Sequence, residues 1–352
     1  MAAGSWNSWT QGDIVTNAKF QDIQDSIVFI YASDSAANTA LTNKVEGTVY
    51  FNTTDDVLKF WDGSAWQEIS GVDAFQVQAL VIAGGGGSGQ FEGAGGGGGY
   101  ISTVDSENTG GGTASNKFFA TPSTNYVVSI GAGGTGGGFN PTTGGTRGTD
   151  TYFGSLLAVG GGHGGNTNAT NIGFRGGSGG SSSNATAAEG TANQGFASGT
   201  GAGTVYKPAG AGGAGSVGDN WASGAGGDGG SGVSSSITGS SVGRAGGGGS
   251  GGSDNASFYH TAGTATDGGG AGGFDTFGTA GTTNTGGGGG GGGLSTDGSK
   301  VFTGGNGGSG VVILKYPDTY TISQSGLTIS TSTSGGFSVT SITAGTGTVS
   351  WS

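Results

Sequence analysis

Phe75-Gln-Val-Gln-Ala-Leu-Val-Ile-Ala83 leads straight into Gly84-Gly-Gly-Gly87, and Gly307-Gly-Ser-Gly310 leads straight out into Val311-Val-Ile-Leu-Lys-Tyr316. Both flanks are short, apolar and rich in β-branched residues, the composition of buried strands that close a domain at its base. What lies between them decides the fold. Residues 84–310 hold 80 of the 90 glycines in this 352-residue chain, with no strict Gly-X-Y period and few prolines, which excludes collagen.

Each ordered glycine costs roughly 0.5–1 kcal/mol relative to alanine, so an ordered segment of this kind needs a compensating interaction. Extended glycine segments, having no side chains, approach one another until backbone N–H and C=O groups bond to neighbours on several sides. Otherwise the segment is a flexible coil. Charged residues make up only 9% of the chain, so charge repulsion, the usual means of holding a disordered chain open, is weak here. The reading is therefore a mainly β protein whose glycine runs, such as 95–99, 246–249 and 286–293, form packed left-handed threefold helices of the polyglycine II type.

Working outward gives three regions. Residues 1–71 read as an N-terminal assembly module. In it Thr16 caps a short helix over 17–31, with Phe20, Ile23, Ile27 and Ile30 as an apolar stripe. The stripe packs either on its own domain or between identical chains in a parallel three-helix contact, which makes these four residues the candidate oligomer contact. Gly47-Thr-Val-Tyr-Phe-Asn, Val57-Leu-Lys-Phe-Trp and Ala65-Trp-Gln-Glu-Ile then alternate as a three-strand meander. Residues 72–316 form the glycine-rich domain, its glycine bundle over 84–310 bracketed by strands. Residues 317–352 are a Ser/Thr-rich β unit, too small for a core of its own, expected to dock on the rest or to pair between chains.

Ten basic residues against 22 acidic ones give a formal charge of −12, with no basic cluster. Nucleic acid and membrane insertion are therefore not expected. The chain has no cysteine, which excludes disulfides and thiolate metal sites. The N-terminus carries no pattern of a secretory signal.

The motifs add a resemblance. Trp9-Thr-Gln-Gly-Asp-Ile-Val-Thr-Asn-Ala-Lys-Phe, Glu46-Gly-Thr-Val-Tyr-Phe-Asn and Trp61-Asp-Gly-Ser-Ala-Trp resemble the N-terminal modules of phage tail-fibre and minor structural proteins. Leu80-Val-Ile-Ala-Gly-Gly-Gly-Gly, Val128-Ser-Ile-Gly-Ala-Gly-Gly and Gly307-Gly-Ser-Gly-Val-Val-Ile-Leu-Lys-Tyr are similar to the glycine-rich domain of phage adhesins. The resemblance implies a virion protein on a tail or head appendage, trimeric, joined to other virion proteins by its N-terminal module. It also implies that loops between polyglycine helices contact a host receptor, either a glycan or an outer-membrane protein. A head fibre or capsid-decorating protein, and a filament-forming cell-surface matrix protein, are the competing readings. Here the glycine region is followed by a β tail, so the distal end is left open.

Enzymatic signatures are weak. Gly-x-Gly-x-x-Gly matches arise by chance in this composition, and none opens an amphipathic helix. His163 and His260 lack a carboxylate at ligand spacing, so neither metal nor cofactor is expected. Asp55-Asp56 sits in a turn, where Asp is favoured for its backbone hydrogen bonds, not as a glycosidase pair. One feature stands above the background: Phe174, Phe196, Tyr206, Trp221, Phe258, Tyr259 and His260 are large side chains isolated among small ones. They read either as caps over the glycine lattice or as loop-tip residues that contact a receptor.

Overall fold

The computed structural model describes residues 29–352 except 56, 69–73, 90–92, 114, 139–143, 166–172, 184, 205 and 297–300. The chain divides into two compact units, residues 1–73 and 74–352.

In the first unit, β1 (Phe29–Tyr31) pairs parallel with β2 (Val49–Asn52), which continues antiparallel into β3 (Val57–Trp61) and β4 (Trp66–Glu68). The helix expected over 17–31 is corrected at its C-terminal end, because Phe29, Ile30 and Tyr31 are strand residues registered on Tyr50, Phe51 and Asn52. Ile30 is exposed there; Phe20, Ile23 and Ile27 lie outside the described residues. The described helix, α1 (Asp34–Ala40), comes later and is capped by Ser33, whose Oγ accepts from the Ala36 N–H at 3.2 Å. Ala37, Tyr50 and Trp66 form its small core. The β3–β4 turn rests on Asp62. Its carboxylate accepts from the backbone N–H groups of Ala65 and Ser64, which hold it well below the usual carboxylate range.

The second unit is organised by a nine-stranded sheet. Its strands are β5 (Phe75–Ile82), β6 (Tyr100–Ser102), β7 (Phe118–Ala120), β8 (Tyr126–Ser129), β9 (Thr151–Phe153), β10 (Leu156–Ala158), β13 (Val311–Pro317), β14 (Ile322–Ser334) and β15 (Phe337–Trp351). The spatial order is β10-β9-β8-β15-β13-β5-β6, with β14 along β15 and β7 along β5. The sheet curls until its ends nearly meet: Gly99, just before β6, donates to the carbonyl of Val159, just after β10, at 2.8 Å. Strand alternation divides the apolar residues between two faces. Phe75, Val77, Ala79 and Val81 of β5 join Val312, Leu314 and Tyr316 of β13 in one core, centred on Trp351. Leu80, Ile82, Val311 and Ile313 face the other way and pack with Tyr100 and Ile237. Ile237 lies in the loop between β11 (Val233–Ser235) and β12 (Val242–Arg244), a hairpin pinned by the Glu107 carboxylate accepting from Ser236 N–H at 2.8 Å.

The glycine segments grow out of this sheet. Residues 84–89 continue β5, 93–99 return into β6, 159–165 continue β10 and 303–310 return into β13. Their hydrogen bonds repeat every three residues. Gly84 and Gly87 donate to Thr149 and Thr146, Gly85 and Ser88 to Gly308 and Gly305, and Gly86 and Gly89 to Gly96 and Gly93, all at 2.8–3.1 Å. One segment is thus bonded to three neighbours, where a strand in a sheet has at most two. Parallel segments join the lattice too: Gly249 donates to Gly270, Gly270 to Gly288, and Gly288 to Gly246, at 2.9–3.0 Å.

This packing explains the composition. A Cβ on Gly87 would lie 1.9 Å from the carbonyl oxygen of Thr135, and one on Gly288 1.9 Å from that of Gly95, although neither glycine has a positive φ. Glycine is required inside the lattice because another backbone occupies the place of a side chain. The chain reverses elsewhere, at residues in the left-handed region such as Asn193, Asp267, Asp275 and Asn284.

Candidate functional site

The ends of the lattice remote from the sheet are made by loops that carry the large side chains. The loop after Ser253 is ordered by its own polar groups: Asn255 Oδ1 accepts from Ser257 N–H at 2.9 Å, and the Asn255 carbonyl accepts from Phe258 N–H at 2.9 Å. Its neighbour is the turn at Trp221, where Ala222 and Ala225 exchange backbone bonds and the Gly224 carbonyl accepts from Thr261 N–H at 3.1 Å. A third loop enters through Gly252 and Phe274, which form a parallel bridge.

These loops bring side chains distant in sequence into four separate contacts, linked along the chain by residues of the same loop, and together these make a band of rings. Phe277 meets Phe302 edge-on with centroids 5.4 Å apart, and Phe274, in the same loop as Phe277, meets Tyr259 at 6.0 Å. Phe258, next to Tyr259, meets Tyr206 at 4.8 Å; Lys207, next to Tyr206, sets its ammonium 5.0 Å from the Trp221 ring centroid. Phe258, Tyr259, Phe274 and Phe277 are all exposed, Phe277 at 59%. Tyr206 has φ +60°, a conformation that costs an L-residue about 1–2 kcal/mol and that the surrounding loop imposes while its ring packs on Phe258. Exposed aromatic rings joined this way offer apolar area at low entropic cost, since each ring is already immobilised by its neighbour.

The residues picked out from the sequence separate into three groups. Tyr206, Trp221, Phe258 and Tyr259 stand together in the band. Phe174 is exposed but lies apart, stacked on His163 at 3.9 Å. Phe196 and His260 belong to the scaffold. Phe196 is half-buried, its carbonyl accepting from Gly179 N–H and its own N–H donating to Gly213. His260 is 1% exposed, exchanges backbone bonds with Ser253 and places Nδ1 2.8 Å from the Phe258 carbonyl. Burial holds the His260 and His163 rings below the usual histidine range. Lys207, Phe274, Phe277 and Phe302 complete the band and were not singled out. Phe274 and Phe277 satisfy the same criterion of a large residue among small ones, in Gly272-Gly-Phe-Asp-Thr-Phe277.

Among the described residues, no group of three or more His, Cys, Asp and Glu side chains is arranged to hold a metal ion, and no helix is long and apolar enough to cross a membrane. No curated protein and no solved structure matches the chain. A family model described as a glycine-rich domain matches residues 64–317, from the β3–β4 turn of the first unit to the last residue of β13. The chain belongs to this glycine-rich domain family.

Proposed function

We propose that this is a bacteriophage virion structural protein, a tail fibre or adhesin, that attaches to the host surface by non-covalent binding. Its chemistry is recognition, with no bond made or broken. The N-terminal module joins it to other virion proteins, the glycine lattice supplies a rigid support, and the aromatic band contacts the receptor. The observation that carries this reading is the band itself: Phe302, Phe277, Phe274, Tyr259, Phe258, Tyr206 and Trp221 converge from separate loops, at the ends of rods whose backbones are fixed by hydrogen bonds. Clustered aromatic anchors with a cation at the margin are the composition of binding hot spots.

The rods themselves we assign to the polyglycine II class, on the ground that their hydrogen-bond partners recur every third residue. The test is the backbone angles in a crystal structure: φ near −75° and ψ near +145° are expected along residues 84–89 and 287–293, while Gly286, with φ +69°, is the turn that leads into the second of these rods. For the function, labelled antibody on purified particles locates the protein, and a fluorescent fusion reports binding to host cells. Binding that is lost in F258A/Y259A supports attachment through the band. A fusion that binds no host cell, or binds equally well without these rings, overturns it.

A further inference from the structure

β14 is an edge strand of thirteen residues, whereas β6, β7 and β10 have three each. It is paired along its whole length with β15 on one side only. Among the described residues, the bonds its backbone makes outside that pairing come down to Leu327 N–H donating to Gln324 Oε1 at 3.0 Å. Proteins ordinarily blunt such an edge with lysine, proline or an inward charge. Here no charged residue occurs anywhere in 319–352, although the chain as a whole carries −12, and Ile322–Ser334 has no proline. Two register shifts, at Ser325/Leu327 and Thr328/Ile329, leave Ile329–Ser334 as the regular stretch.

We infer that this edge pairs antiparallel with β14 of a second copy of the chain. Three observations favour a copy over another partner. A charge-free edge lets two acidic molecules meet without local repulsion. Ser330, Thr331, Ser332 and Thr333 carry hydroxyls that donate and accept, so the strand complements itself when reversed. The sheet already uses such hydroxyl pairs between strands, at Thr331–Thr340 (2.8 Å), Thr333–Ser338 (3.1 Å) and Ser129–Thr346 (2.8 Å). Antiparallel pairing of identical strands requires a two-fold axis perpendicular to the sheet, which sets a residue opposite itself. An axis through the regular stretch places Ser332 against Ser332 and Ser330 against Ser334.

The test is the mass of the full chain by sedimentation equilibrium, wild type against S330K/S332K. Both serines are exposed, so the double substitution leaves the fold intact while setting like charges across the axis. The expected result is a wild-type mass twice that of the variant at equal concentration, with equal Tm. Equal masses, whatever their size, overturn the proposal. Should the variant unfold, hydrogen exchange in the wild type decides: amides of Ile329–Ser334 that slow as protein concentration rises support the pairing, and exchange independent of concentration refutes it.

Discussion

A Cβ on Gly289 would lie 2.1 Å from the carbonyl oxygen of Gly305, and one on Gly97 2.2 Å from that of Ala245. Neither glycine has a positive φ, so at both sites the missing atom, not the backbone angle, is what matters. Gly239 is the converse: φ is +92° and nothing stands within 4 Å of its Cβ position.

These two uses of glycine separate in thermal or denaturant unfolding. G289V and G97V are expected to destabilise the second unit by about 3 kcal/mol or more, because a backbone carbonyl has to move. G239A costs about 1 kcal/mol, the penalty of the left-handed conformation alone. A neutral G289V removes the claim that the lattice is a load-carrying core.

Trp351, the penultimate residue, is 1% exposed and meets Phe75, Tyr126, Phe153 and Tyr316 at centroid distances of 5.7–6.4 Å. W351A is expected to cost about 3–5 kcal/mol and to abolish the near-ultraviolet circular dichroism of this aromatic cluster.

The first unit is expected to weaken at both ends of the pH scale. Burial pushes the Tyr50 hydroxyl up, as does its bond to Asp34, to about 12. Its folded pKa lies above the ordinary tyrosine value, so its stability contribution is whole below about pH 10 and lost as pH rises towards 12. Burial raises Asp34, but hydrogen bonds from Tyr50 and Lys59 and the charge of Lys59, 2.9 Å away, outweigh it and leave the carboxyl lowered. That contribution is present above about pH 4 and lost as pH falls through the lowered value. Fluorescence of Trp61 and Trp66 against pH reads both limbs, and Y50F is expected to remove the alkaline one.

Loop substitutions distinguish contact residues from scaffold. F258A and Y259A are expected to reduce host-cell binding at least tenfold each, about 1.4 kcal/mol, with Tm unchanged. H260A lowers Tm instead, since its ring is buried within the same loop. Equal effects of all three on Tm mean that the aromatic rings are caps and not contacts.

The strands of the sheet were legible because β5 and β13 are short, apolar, β-branched runs at glycine boundaries, and Val49–Asn52, Val57–Trp61 and Trp66–Glu68 alternate between turn residues. The end of the N-terminal helix was not, since Ile27 and Ile30 fit a helical stripe as well as they fit the start of a strand, and pairing with Tyr50–Asn52 settles it over Phe29–Tyr31. The distal band was half visible. Isolated aromatics mark loop ends wherever the rest of the chain is too crowded for a side chain, which identified Phe258 and Tyr206. Which rings meet depends on the lattice register, and that is fixed by backbone bonds that leave no trace in side-chain pattern.

A repeat of three along every rod also sets a unit of length for change. Adding a whole triplet to a rod returns each N–H to the same neighbour, whereas adding one or two residues turns every bond beyond the insertion towards the wrong partner. Turns carry no such phase. Homologous chains are therefore expected to differ in loop length freely and in rod length by threes, so that the distal surface can be remodelled while the interior keeps its crystal-like order.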